Sequence, residues 1–267
     1  MRVQDQDDRP MGRADVDDFE TQGTRPPRLL RISDAAAAYR LVYGRVDALL
    51  RSRPELAELT VPACPAWTVR QTVAHIAGLA QDIVSLNMEE KAADSWTQAQ
   101  VDRLGGHTID ELLNLWGQMI DPVTARLALQ ASACQLVFDT LSHEHDIRGA
   151  LSEPGSRTGD LAFEVALGFS TTMGDQFIRH AGLPALRLIT PTIGSVQLGD
   201  PHTPRGQVAL NISDFEALRS LGGRRSVQQL LALPWHGDPT HLLPAFTYLL
   251  PAFTNDGIRP PDDDLVE

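Results

Sequence analysis

Positive charge is scarce in this chain: of its 23 basic residues one, Lys91, is lysine, and 35 acidic residues bring the formal net charge to −12. No Lys/Arg-rich segment is present to track a phosphate backbone, so nucleic acid is not an expected partner. Residues 1–27 hold 7 acidic and 4 basic side chains and residues 259–267 hold 4 and 1, so the two ends supply −6 of the net charge. Cysteine is nearly absent. Cys64 and Cys134 share no C-x-x-C spacing and fit a reducing compartment as small buried groups. Nor does any run approach the ~18 apolar residues of a membrane span, and Met1–Asp8 lacks the apolar centre of a signal peptide. These absences point to a cytoplasmic protein with no membrane partner.

A hydrophobic content of 42% over 267 residues is that of a globular chain, long for one core and comfortable for two domains. The polar start, closed by Pro26-Pro27, is expected to form a disordered extension over 1–27. A first helix is expected from Ser33 or Asp34 to about Arg51, stopped by Pro54. Thr68 with Gln71, and Thr108 with Glu111, are capping boxes that open two more helices. Residues 92–107 between them look like a loop anchored by Trp96, and Pro122 should stop or kink the helix that begins at Thr108. A long helix follows to Leu151, then another from about Asp160 to His180, ended at Gly182 and Pro184.

Helical spacing then gives way. Leu186 to Leu198 alternates as strand–turn–strand, and Gly206 to Ile212 as a further strand. Short helices are expected from Ser213 to Leu221 and, capped by Ser226, from Val227 to Leu231. A last helix is expected from His241 to Phe253 and a frayed tail over 259–267. The fold class is therefore α+β: a helical bundle over 28–184 and a small mixed α+β domain over 185–258.

The chemistry concentrates in Cys134-Gln-Leu-Val-Phe-Asp139-Thr-Leu-Ser-His143-Glu-His-Asp146-Ile-Arg148. On a helix Asp139 and His143, four residues apart, leave the same face, at the edge of an apolar arc of Leu136, Val137, Leu141, Ile147 and Leu151. Such a pair can grip a divalent ion, or it can be a plain i, i+4 contact on a wet face. His75 occupies a similar margin on the helix opened by Thr68. By the same geometry His145 points away from the pair and is expected to be solvated, and Glu144 faces elsewhere. Asp146 lies one turn on from the pair, where it can orient a ligand histidine or pair with Arg148.

Two stretches resemble a known family. V-P-A-C-P-A-W-T-V-R-x-x-V-A-H, ending at His75, with D-x-x-x-H-x-x-D-I-R-x-A-L, starting at Asp139, resembles the metal-binding amino-terminal domain of the mycothiol-dependent maleylpyruvate isomerase family, a DinB-like four-helix bundle. Phe215 to Ser226, followed by Gly237-Asp238-Pro239, resembles that family's carboxy-terminal domain.

The resemblance implies a divalent metal, zinc by preference, held by His75, Asp139 and His143, with mycothiol or a similar low-molecular-weight thiol at the open position. It also implies a small electrophile as substrate, to be isomerised or to receive the sulfur. The family often carries Glu where this chain has Asp139, which draws the oxygens back by roughly one C–C bond, about 1.5 Å, yet Asp oxygens bind zinc as Glu oxygens do. Arg224 and Arg225 can clamp a substrate carboxylate or make turn and helix-terminus bonds. Cys134 is expected in the core. A non-catalytic metal- or ligand-binding module, and a hydrolase using metal-bound water, remain alternatives on the same scaffold.

Overall fold

The computed structural model describes residues 23–89, 91, 93–157, 159–247 and 261–267. Its first part is helical: α1 (Ile32–Leu50), α2 (Val69–Ser85), α3 (Asp94–Leu104), α4 (Ile109–Arg126), α5 (Gln130–Leu151) and α6 (Leu161–Ala181). Helices α1, α4, α2 and α5 pack in a ring, with α3 laid against α2 and α6 against α5 and α1. Apolar side chains fill the space between them, among them Tyr39, Val46, Ile76, Leu112, Trp116 and Leu141. The buried Trp116 indole donates to the Tyr39 hydroxyl at 2.8 Å and ties α4 to α1.

Both capping boxes form as the spacing predicts: Thr68 and Thr108 each accept from the backbone three residues on, and Gln71 and Glu111 reach back. These reciprocal bonds satisfy donors that a helix start otherwise leaves unpaired, so α2 and α4 begin where the sequence places them. Asp160 caps α6 by accepting from the amides of Ala162 and Phe163, and Gly182 ends it in the left-handed conformation.

The expected loop at 92–107 is instead helix α3. Its buried face is only Gln100, Val101 and Leu104, too short and too polar to show as an apolar stripe. Gly78 on α2 lets it approach, since an added Cβ there would stand 2.6 Å from the Gln100 Cβ. Pro122 does not stop α4 either. Burial of Ile120 and Val123 carries that helix on to Arg126.

After α6 come β1 (Ala185–Thr190), β2 (Gly194–Leu198), β3 (Gln207–Asn211) and the unexpected two-residue β4 (Trp235–His236). They form a mixed sheet in the order β2-β1-β3-β4. The β1–β2 hairpin and the β3–β4 pair are antiparallel, and β1–β3 is parallel with Leu188 opposite Leu210. Helices α7 (Asp214–Leu221) and α8 (Val227–Leu231) follow the expected spans. Strand β2 and helix α7 both pack on α6, so one apolar cluster runs from the bundle into the sheet. The architecture is α+β.

Of the helix expected over 241–253, Pro244–Thr247 is helical, and 248–253 lie outside the described residues. Residues 1–22 of the expected extension lie outside them too. Arg25, within that stretch, is nevertheless held: it bridges to Val196, its amide donates to the Ser195 carbonyl at 3.1 Å, and its guanidinium to the Ile193 carbonyl at 2.7 Å. At the other end, residues 264–267 are docked, not frayed. Asp264 accepts from the Ser226 hydroxyl, the Gln229 side chain donates to the Leu265 carbonyl at 2.8 Å, and Glu267 pairs with Arg219 and Arg225. A run of acids reads as solvated until its arginine partners, far off in sequence, are placed beside it.

Candidate metal centre

Helix α2 presents His75 and helix α5 presents Asp139 and His143 to the same point. The Asp139 carboxylate lies between the imidazoles, its Oδ2 3.9 Å from His75 Nε2 and its Oδ1 3.8 Å from His143 Nε2. One ligand atom from each residue falls within 4.8 Å of the other two. These separations are too long for hydrogen bonds. They approach the spacing of roughly 3.4 Å expected for ligand atoms about 2.1 Å from one tetrahedral centre. Asp139 Oδ2 is buried with no hydrogen-bond partner among the described residues. A carboxylate set between two imidazoles, one oxygen toward each ring and Oδ2 buried without a bond, fits a site for a cation. Both histidine side chains are 7% exposed and that of Asp139 is 34% exposed, so the cluster opens to solvent on the carboxylate side.

The far ring nitrogens are tied down. His75 Nδ1 meets Gln100 Oε1 at 2.8 Å, and the Gln100 amide donates to Asp82 Oδ2 at 2.8 Å, which Arg103 braces through Oδ1 at 2.9 Å. Because the amide nitrogen faces Asp82, its oxygen faces the ring. His75 therefore carries its proton on Nδ1 and leaves the Nε2 lone pair toward Asp139. Burial, opposed in part by Asp139, lowers the His75 pKa to about 4, so its ring is neutral and able to ligate.

His143 Nδ1 lies 2.9 Å from Asp146 Oδ2. Burial alone would lower its pKa, but the bonds to Asp146 and Cys64 and the nearby carboxylates outweigh that and raise it to about 10. Trp67 lies against both rings, with centroids 5.2 Å from His75 and 6.2 Å from His143.

Gln100 was not legible in the sequence, because its helix was not. Its weight can be tested. Gln100→Leu should weaken divalent-metal affinity by about tenfold, the usual scale for losing the partner behind a ligand histidine. Chelator competition on wild type and variant measures it; equal affinities would make Gln100 a packing residue.

Asp146 sits behind His143, and its arginine partners are Arg224 and Arg219 in place of Arg148. It is fully buried and faces Arg224 Nη2 at 3.0 Å and Arg219 Nη1 at 2.8 Å. Burial opposes its charge, yet Arg224 and Arg219 hold the carboxyl well below its usual range. Arg148 instead pairs with Glu144 at 3.0 Å, and Glu144, wholly buried, also meets Arg45 at 2.7 Å.

Arg224 and Arg225, read as a substrate clamp or as turn and helix-terminus bonds, both have partners inside the fold. Arg224 directs Nε and Nη2 to Asp146 and Nη1 to the Gly222 carbonyl. Arg225 is bidentate to Glu216 at 2.7 and 3.0 Å and also meets Glu267. Both forks thus already have carboxylate partners within the fold: Asp146 and Glu267 are buried, and Glu216 is partly exposed.

His145 is not solvated. It is 2% exposed, its ring edge-on to Phe215 and tilted on Phe163. Burial, then the charges of Arg219, Arg148 and Arg45, push its pKa down to about 3, so it stays neutral. Cys134 is core, its thiol against the Leu30 carbonyl and pushed up by burial. Cys64 is half-buried beside the centre, with Sγ 3.7 Å from Asp146 Oδ2 and 3.9 Å from Arg224 Nη2. The V-P-A-C-P-A-W run that precedes α2 carries it there.

Residues 39–148 match the family profile described as the mycothiol maleylpyruvate isomerase N-terminal domain. A solved structure of a histidine-to-alanine mutant of the mycothiol-dependent maleylpyruvate isomerase shares the fold at a TM-score of 0.52 and 14% identity, over 73% of this chain and 90% of that one. A second structure of that isomerase aligns over the same shares at 0.47 and 16% identity. No curated protein sequence matches this chain. No helix among the described residues is long and apolar enough to cross a membrane.

Proposed function

We propose, with residues 39–148 belonging to the mycothiol maleylpyruvate isomerase N-terminal domain family, that this chain is an isomerase-like enzyme needing a divalent metal and a low-molecular-weight thiol of the mycothiol kind. His75, Asp139 and His143 would hold the metal, with zinc the best fit to two imidazoles, one carboxylate and an open corner. The observation that carries this reading is the Asp139 carboxylate, facing both Nε2 atoms with one oxygen buried and unbonded.

A bound dication supplies a Lewis acid that lowers the pKa of an approaching thiol from its free value near 8.5. The chain's own residues do the rest. Gln100 and Asp146 fix the two rings, and Trp67 covers them. The partly exposed Asp139 edge is the way in. A thiolate that adds to an activated double bond allows rotation and then leaves, turning cis into trans with the thiol returned. One that displaces a leaving group stays attached.

The test is turnover of maleylpyruvate and related small electrophiles by metal-loaded protein, with and without thiol. Turnover requiring both metal and thiol is the expected result, with thiol recovered for isomerisation and consumed for S-transfer. Thiol-independent hydrolysis would replace this reading with the metal-water hydrolase. Stoichiometric metal without turnover of any substrate would leave a binding module.

A further inference from the structure

The carboxylate behind His143 is itself held from the far end of the chain. Asp146 Oδ1 is ion-paired with Arg219 Nη1 at 2.8 Å, that nitrogen donates its hydrogen bond to the Ser142 carbonyl at 3.2 Å, and Arg219 is wholly buried. Its other two nitrogens go to Glu267: Nε to Oε2 at 2.9 Å, and Nη2 to Oε1. Arg225 Nη1 adds a third contact to the same carboxylate at 2.7 Å. The Glu267 side chain is 6% exposed and packs over Gly149 of α5, where an added Cβ would stand 3.4 Å from Oε1. Asp264 on Ser226, and Leu265 on Gln229, fasten the segment that delivers it.

Charge makes this arrangement more than packing. Asp146 is one carboxylate facing two guanidinium groups and the His143 ring. Glu267 supplies the second carboxylate. Without it Arg219 has Asp146 as its one anionic partner among the described residues, in competition with Arg224 and His143. The carboxylate would then be drawn toward Arg219 and away from Nδ1, and uncompensated positive charge would sit behind the cluster meant to receive a cation.

We infer that Glu267 is a positioning residue for the metal centre, acting through Arg219 and Asp146 on His143; this rests on the metal reading above. The test compares wild type, Glu267→Gln, Glu267→Asp and Ser226→Ala. For each, zinc affinity by chelator competition and the visible spectrum of the cobalt-substituted protein are measured beside the melting temperature of the metal-free form.

Glu267→Gln should lower zinc affinity by about tenfold, the low end of what loss of a supporting partner costs, and shift the cobalt bands. Glu267→Asp should recover part of that loss. Ser226→Ala, which loosens the same segment and keeps the charge, should move affinity in the same direction by a smaller factor, and it carries the test if Glu267→Gln does not fold. A lowered melting temperature with zinc affinity and cobalt bands unchanged would overturn the inference and leave Glu267 a stabilising residue. Wild-type protein that takes up no zinc through His75 and His143 would instead overturn the metal reading itself.

Discussion

Alanine at His143 is expected to leave the protein without stoichiometric metal, and alanine at His75 to do the same, with helical content kept in both. In the proposed site each change would remove one of two nitrogen ligands from a three-residue set, and two remaining ligands would not hold a dication against water. Elemental analysis and far-ultraviolet dichroism on the purified variants check this. Full metal content in both would dissolve the assignment.

The two histidines should differ in their response to pH. His75 is neutral above about pH 4 and gives up no proton when an ion binds. His143 is protonated below about pH 10 in the metal-free protein, so an ion must displace one proton from it. Apparent affinity should therefore rise about tenfold per pH unit between pH 6 and 8, with about one proton released per metal bound. Calorimetry in buffers of different ionisation enthalpy counts that proton. A flat pH profile would mean His143 is already neutral in the metal-free protein.

Asp146→Asn is expected to be the most destabilising single change near the site. Its carboxylate is the shared partner of Arg219, Arg224 and His143, of which Arg219 and His143 are buried and the Arg224 side chain is 15% exposed. Neutralising it leaves two guanidinium groups facing an amide that can accept from only one side. Breaking a buried pair by removing one partner costs about 3–5 kcal/mol. Urea unfolding of the metal-free protein should show a loss of that order, together with weakened metal affinity because His143 loses its anchor. A loss under about 1 kcal/mol would show that Arg219 and Arg224 find other anions, Glu267 being the nearest for Arg219.

These two results bear on different steps. The histidine variants ask whether the cluster binds an ion at all; the Asp146 variant asks what keeps the cluster in shape. Arg224 belongs to the second question. With its fork on Asp146 it contributes charge and packing behind the rings, and Arg225 contributes the same around Glu216 and Glu267.

What the sequence determined by itself is what lies within a few residues along the chain. Capping boxes at Thr68, Thr108 and Ser226 span four residues each, and they set where α2, α4 and α8 begin. The alternation from Leu186 to Leu198 is enough for the hairpin, and the i, i+4 spacing of Asp139 and His143 is enough to put them on one face. Tertiary structure decided the pairs that close over long separations: Gln100 with His75 across 25 residues, Glu267 with Arg219 across 48, Arg224 with Asp146 across 78. No local period encodes such partners. A polar side chain in a helical stretch, or an acid in a tail, looks solvated until the packed chain withdraws it from water and makes an opposite charge its only available partner. That is why α3, the docked tail and the occupied forks of Arg224 and Arg225 emerged only with the fold, as did His145, withdrawn from water against Phe163 and Phe215.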